Sequence, residues 1–142
     1  MKNRNLDHKD DWATPVTFYS ELNAEFDFDF DPCPFQHDIK KWNGLEVDWG
    51  ERNFVNPPYS LKLKEAFVKK SIVESKKGKL CVLLLPVSTS TRLFHDWILP
   101  NQKEIRFIKK RLKFSGYNTK GEWVTDKPGM HDSMIVIFDG RK

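Results

Sequence analysis

A chain of 142 residues, 39% hydrophobic and 13% aromatic, holds enough apolar material for a packed core and is no disordered polymer. Its longest apolar run, Leu80 to Val87, is interrupted by Pro86 and falls short of a membrane span. The net charge of +4 is unevenly divided: residues 1–60 carry 6 Lys/Arg against 12 Asp/Glu, residues 61–100 carry 8 against 3, and residues 101–142 carry 10 against 5.

Such runs are commonly solvated faces. They also fit a division of labour, in which a basic surface meets a polyanion and the acidic part handles something else. Met1-Lys2-Asn3-Arg4-Asn5-Leu6 has no apolar core behind it and does not read as a signal peptide. Cys33 and Cys81 stand in unlike contexts, and no metal-ligand spacing accompanies them. The expectation is a soluble intracellular protein without a metal.

Residues 1–11 are polar and read as a flexible N-terminal arm, with 12–142 as a single domain. Thr14 before Pro15 fits a helix start, threonine as N-cap and proline at the first position. A short helix over Thr17 to Ala24 then presents Val16, Tyr19 and Leu22 to a core. From Glu25 to Asp31, Phe26, Phe28 and Phe30 alternate with Asp27, Asp29 and Asp31, the pattern of a strand ending at Asp31-Pro32-Cys33-Pro34. Residues 34–52 are irregular, with Val47-Asp48-Trp49 a possible short strand.

Asn53-Phe54-Val55 is a short strand stopped by Asn56-Pro57-Pro58-Tyr59, because consecutive prolines cannot continue a ladder. Leu61 to Ser75 reads as a helix with Leu63, Ala66, Phe67 and Val73 inward, closed by Gly78. Leu80 to Leu85 is a continuous apolar run, expected of a central parallel strand buried on both faces. A helix near Arg92 to Leu99 is closed by Pro100, and Glu104 to Lys109 is another strand. A loop follows from Arg111 to about Asp132, and Ser133 to Phe138 is a final strand. The pattern is α/β with a mostly parallel sheet, and ligands collect at the carboxyl ends of such strands.

Three proline-marked polar turns fall at those ends: Asp31-Pro32, Asn56 to Tyr59, and Pro86 to Thr91. The second carries the most chemistry. The Asn56 amide oxygen and the Pro57 carbonyl both accept hydrogen bonds from an NH2 group, and Tyr59 offers a flat aromatic face beside them. Asn-Pro is also an ordinary turn starter, and Tyr59 an ordinary half-buried aromatic.

With Trp12-x-Thr14-Pro15, Phe28-x-Phe30-Asp31-Pro32-Cys33, Asn43-Gly44-Leu45, Leu84-Leu85-Pro86 and Arg111-x-x-Phe114, this turn is similar to that of the S-adenosylmethionine-dependent nucleobase amino-methyltransferases. Over about residues 12 to 138 the chain resembles, more narrowly, the small phage-type DNA N-6-adenine methyltransferase (Dam) family. The resemblance implies an abbreviated Rossmann-like (class I) methyltransferase sheet, mostly parallel with a returning final strand and helices on both faces. It implies a bacterial cytoplasm or a prophage origin, and a monomer or weak dimer with no obligate protein partner.

It further implies that Asn56 and Pro57 accept hydrogen bonds from the exocyclic amine of an adenine flipped out of DNA. Pro58 would hold the turn rigid, and Tyr59 would stack on the base. S-adenosylmethionine, with S-adenosylhomocysteine as its product, would be held by Trp12, Thr14, Pro15, Asp31, Pro32, Cys33 and Asn56. Asp48 is a further candidate toward the adenosine, with Glu46 and Trp49 beside it. Asp31 is equally a turn carboxylate, and Cys33 a small buried residue. No Gly-x-Gly turn follows the first strand, where Pro34-Phe35-Gln36 stands instead.

DNA would meet Lys62, Arg92, Lys109, Lys110, Arg111 and Lys113, with a loop carrying Tyr117 and Trp123; such contacts are largely sequence-blind. Solvated lysines are the plainer reading of these positions. Rival readings are a cytosine amino-methyltransferase, a protein glutamine methyltransferase, and a non-catalytic nucleic-acid-binding module that keeps the fold.

Overall fold

The centre of the molecule follows from two apolar strands that alternate their side chains between faces. In the computed structural model, which describes residues 12–35, 40–117, 120–128 and 131–142, these are β3 (Leu80–Pro86) and β7 (Ser133–Asp139). They pair antiparallel from Leu80 opposite Asp139 to Pro86 opposite Ser133. The arm expected over residues 1–11 lies outside the described residues.

β2 (Arg52–Val55) adds to β3 in parallel, and β4 (Glu104–Phe107) adds to β7 antiparallel, giving the order β2-β3-β7-β4. The sheet is therefore not paired in the mostly parallel manner expected. β2, β3 and β4 run the same way, but the returning strand inserts between the last two and makes both of its own ladders antiparallel.

Each face of this sheet is covered. Leu80, Val82, Leu84, Ile135 and Ile137 pack with Phe54 and with Leu22, Phe18 and Tyr19 of α1 (Val16–Phe26). On the other face Cys81, Leu83, Leu85, Met134, Val136 and Phe138 meet α2 (Leu61–Ser75) through Phe67, Val68 and Ile72. There they also meet Leu93, Phe94 and Ile98 of a π-helical turn, Leu93–Ile98, which continues as α3 (Leu99–Asn101). Pro100 thus lies inside the helical segment instead of closing it. α2 has the expected bounds and buries Phe67 as expected, but the rest of its buried face is Val68, Ser71, Ile72, Glu74 and Ser75. One residue, or 100°, beyond Ile72, Val73 is 53% exposed.

Three further expectations change. The strand over Glu25–Asp31 shrinks to a single parallel bridge, Phe30 with Asn53. α1 runs on to Phe26 and stops where Asp27 turns left-handed at φ 53°, with the Asn23 side chain accepting from the Phe28 amide at 2.9 Å. Val47-Asp48-Trp49 forms no strand; a 3-10 turn, Gly44–Glu46, precedes it. The loop after Arg111 holds a hairpin, β5 (Lys113–Tyr117) and β6 (Trp123–Pro128), to which β1 (Trp12–Ala13) adds antiparallel along β5.

The amino ends of β2 and β3 are tied by one buried carboxylate. Glu74 accepts from the Trp49 amide at 3.0 Å, from Lys77 Nζ at 2.8 Å and from Lys79 Nζ at 2.6 Å, with Lys70 at 3.4 Å. Burial alone pushes this carboxyl up. The hydrogen bonds from Lys77, Lys79 and Trp49, with the charge of Lys70, outweigh it and hold the group at about 2. Among the described residues no helix is long and apolar enough to cross a membrane.

Candidate functional site

Three chain segments converge beyond the carboxyl end of β2. The first is β2 itself, which hands on to Asn56, buried Pro57 and Pro58, and half-buried Tyr59 before Ser60 starts α2. Without an amide hydrogen, neither proline can extend the ladder, so the chain leaves the sheet here. Tyr59 sets its ring edge-on to Phe114 of β5, centroids 6.2 Å apart at 85°, and burial pushes its phenol above the ordinary value.

The second segment follows β1. Thr14 was expected to cap α1, yet Pro15 occupies the cap position and no side-chain cap bond forms. The Thr14 hydroxyl instead accepts a hydrogen bond from Asn56 Nδ2 at 2.9 Å.

The third segment leaves the Phe30 bridge through Asp31, whose Oδ1 accepts from the Cys33 amide at 2.8 Å in a tight turn. Gly44 backs this turn from behind, because a Cβ there would collide with the Pro32 carbonyl. Gly44→Ala is therefore expected to cost about 1–3 kcal/mol in a thermal melt, as overpacking does elsewhere.

The segments enclose a cavity of about 240 Å³. Four residues picked out from the sequence line it: Thr14, Asp31, Cys33 and Asn56. Ala13, Val16, Tyr19, Phe35 and Phe54 complete the wall. Tyr19 and Phe54 read in the sequence only as core; they are core residues that also face the cavity, their rings crossing at 81° with centroids 5.0 Å apart. Burial, and then the negative charge of Asp31, pushes the Tyr19 phenol up. Phe35 meets the half-exposed ring of Trp123 at 5.9 Å, so the hairpin reaches the cavity wall. An aromatic cavity with one carboxylate and a hydroxyl can receive a ligand that is part planar and part cationic.

Other expected residues stand elsewhere. Pro15 and Pro32 are the chain neighbours of Thr14 and Asp31, and Trp12 takes part through its backbone pairing with Gly116. Asp48, 88% exposed, pairs with Lys77 at 3.5 Å before the amino end of β2, the end away from the cavity. Glu46 is exposed nearby, and Trp49 is buried in the core with its indole N–H donating to the Gly44 carbonyl at 2.8 Å.

Lys62, Arg92, Lys109, Lys110, Arg111 and Lys113 are all exposed. Lys62, Arg92, Lys109, Lys110 and Arg111 follow the carboxyl ends of β2, β3 and β4, the edge on which Asn56 stands, while Lys113 opens β5. Arg111 is paired with Asp132 at 3.5 Å. Tyr117 belongs to β5.

No curated protein and no solved structure matches the chain. A family model described as DNA N-6-adenine-methyltransferase (Dam) matches residues 2–142. With a match over essentially its whole length, the chain belongs to the DNA N-6-adenine-methyltransferase (Dam) family.

Proposed function

We propose that this protein transfers the methyl group of S-adenosylmethionine to the exocyclic amine of adenine in DNA. The observation that supports this most is the placing of Asn56: it ends β2 in the Pro-Pro turn and also lines the cavity that holds Asp31 and Thr14. A methyl donor in that cavity and a base at the turn would then share one residue between them. When bound, S-adenosylmethionine supplies an electrophilic methyl group on a cationic sulfur.

The donor set fits such a ligand. Asp31 brings a carboxylate toward its positive charges, while Tyr19, Phe54 and Phe35 offer aromatic walls. Asn56 Oδ1 and the Pro57 carbonyl accept hydrogen bonds from the adenine amine and leave its lone pair available for in-line attack. Pro58 stiffens the turn and Tyr59 borders the base. Positioning and fixed dipoles, more than a strong base, carry the rate. Lys62, Arg92, Lys109, Lys110 and Arg111 contact phosphates along the same edge, as Lys113 does from β5, and the base leaves the duplex to reach the turn. We read residues 12–142 as one domain, an abbreviated Rossmann-like sheet in which β7 lies antiparallel among like-directed neighbours.

Incubation of the protein with tritiated S-adenosylmethionine and unmodified phage DNA, followed by nucleoside analysis, tests this. Label in N6-methyladenine is the expected result. Label in cytosine would keep the mechanism and change the base. No label, despite DNA binding, would leave only a nucleic-acid-binding module.

The cofactor assignment has its own test. Asp31→Asn keeps the oxygen that accepts from Cys33 and so keeps the turn, but removes the charge. It is expected to weaken S-adenosylmethionine binding by about tenfold in calorimetric titration, with an unchanged melt.

A further inference from the structure

The lysines of α2 differ in what surrounds their charges. Lys69 pairs with Glu65 at 3.8 Å and lies over the Trp97 ring at 4.6 Å, and Lys70 faces Glu74 at 3.4 Å. Lys62 stands in open water, where an ammonium needs no partner. Lys64 has neither carboxylate nor open water: it is half-buried, and among the described residues none forms an ion pair with it. Burial pushes its ammonium below the ordinary value, and the charge of neighbouring Glu65 offsets this only in part.

Its place on the helix explains the burial. Lys64 precedes Phe67 by three residues and Val68 by four, so it continues the core-facing stripe of α2 by one turn. Its amide donates to the Ser60 carbonyl at 2.9 Å, which sets it directly after Asn56-Pro57-Pro58-Tyr59. Helical side chains lean toward the amino end, so the Lys64 stem leans toward that turn. A half-buried cation without a counter-charge is unfavourable for the fold alone, and it fits an anion brought by a ligand. Among the described residues that line the cavity none belongs to α2, which turns the choice from the cofactor's carboxylate to a phosphate of DNA.

The exposed lysines can meet phosphates anywhere along a duplex. A recessed one meets only a backbone drawn to the turn with an extruded nucleotide. We infer that Lys64 receives a phosphate next to the adenine that enters the Asn-Pro-Pro-Tyr turn. This rests on the reading of that turn as the adenine site.

Wild type locates the target first, by mapping the adenine labelled in the tritium assay. Short duplexes are then made around it, with its two neighbouring phosphates either native or replaced by uncharged methylphosphonates. Lys64→Met keeps the stem and removes the charge. On the native duplex it is expected to bind about tenfold more weakly, with the slope of log affinity against log salt reduced by about one. On the methylphosphonate duplex the two proteins are expected to bind within about twofold of each other. Calorimetric titration with S-adenosylmethionine is expected to show no change.

The free protein supplies a readout that a structural lysine would move the other way. Lys64→Met is expected to melt about 2–4 °C above wild type, because it removes a partly desolvated charge that the fold does not compensate. A lower melting temperature would mean that the fold itself uses the charge. Undiminished DNA binding, an equal loss on both duplexes, or weakened cofactor binding would take the contact away from that phosphate. Each of these results overturns the role of Lys64 alone. A wild-type chain that transfers no methyl group would overturn the proposed function and this role with it.

Discussion

Asn56→Ala is expected to lower methyl transfer to DNA by about 10²–10³-fold, the usual cost of removing one fixed dipole from a reacting centre. The substitution deletes the side-chain acceptor and leaves the Pro57 carbonyl in place, so residual transfer is expected. The fold should be indifferent: Asn56 is half-buried beyond the end of β2, and its bond to Thr14 is not part of the central sheet's ladders. A melting temperature close to wild type, combined with a collapsed rate in the tritium assay, is the expected pair. Unchanged transfer by Asn56→Ala would reduce the Pro-Pro turn to a strand terminator.

The largest effect on stability is expected at Glu74. Glu74→Gln removes the charge around which Lys70, Lys77 and Lys79 gather and weakens the bond to the Trp49 amide. The carboxyl is held at about 2 against an ordinary 4.5, so its ionised form stabilises the fold by on the order of 3 kcal/mol. Because the folded-state value is depressed, this stabilisation is complete above about pH 4.5. It is lost as the pH falls through the window down to about 2. Urea denaturation at pH 7 should therefore show the full difference between wild type and Glu74→Gln, and the two curves should converge toward pH 2. A constant difference across that window would mean that Glu74 acts through packing, not charge.

Much of this was legible from local chemistry. α2 keeps its expected bounds because an uninterrupted helical pattern runs between two breakers, the Pro-Pro turn and Gly78 at φ 94°. β3 and β7 announce themselves as apolar runs. Local chemistry set Asp31 and Asn56 on one edge of the sheet, at proline-marked turns; that Thr14 and Cys33 join them was implied by the family resemblance alone.

What misled was pairing. The alternation of Phe26, Phe28 and Phe30 has the period of a strand, but Phe26 is claimed by α1, whose end is set by Asn23 and a left-handed Asp27. Nothing local says that β7 enters beside β3, since strand order depends on contacts distant in sequence. The hairpin β5–β6 was hidden for a related reason. Of Lys113, Phe114, Ser115 and Gly116 only Phe114 and Gly116 are buried, and the strand pairs through a bulge near Ser115. Asp48, a candidate toward the adenosine only through the resemblance, stands at the other end of β2 and pairs with Lys77.

The place of β7 also has a temporal consequence. Among the described residues, residues 104–107 have no ladder partner other than residues 133–139, and β3 is left with an open edge until the same residues arrive. As the polypeptide emerges from the ribosome, β2, α2 and β3 can associate early, but the apolar run Leu80 to Leu85 then waits, one side unpaired, for a segment made much later. Such a gap slows folding, because loop closure must precede the contacts that reward it. It also marks the interval of synthesis in which the nascent chain is most open to aggregation or to a chaperone.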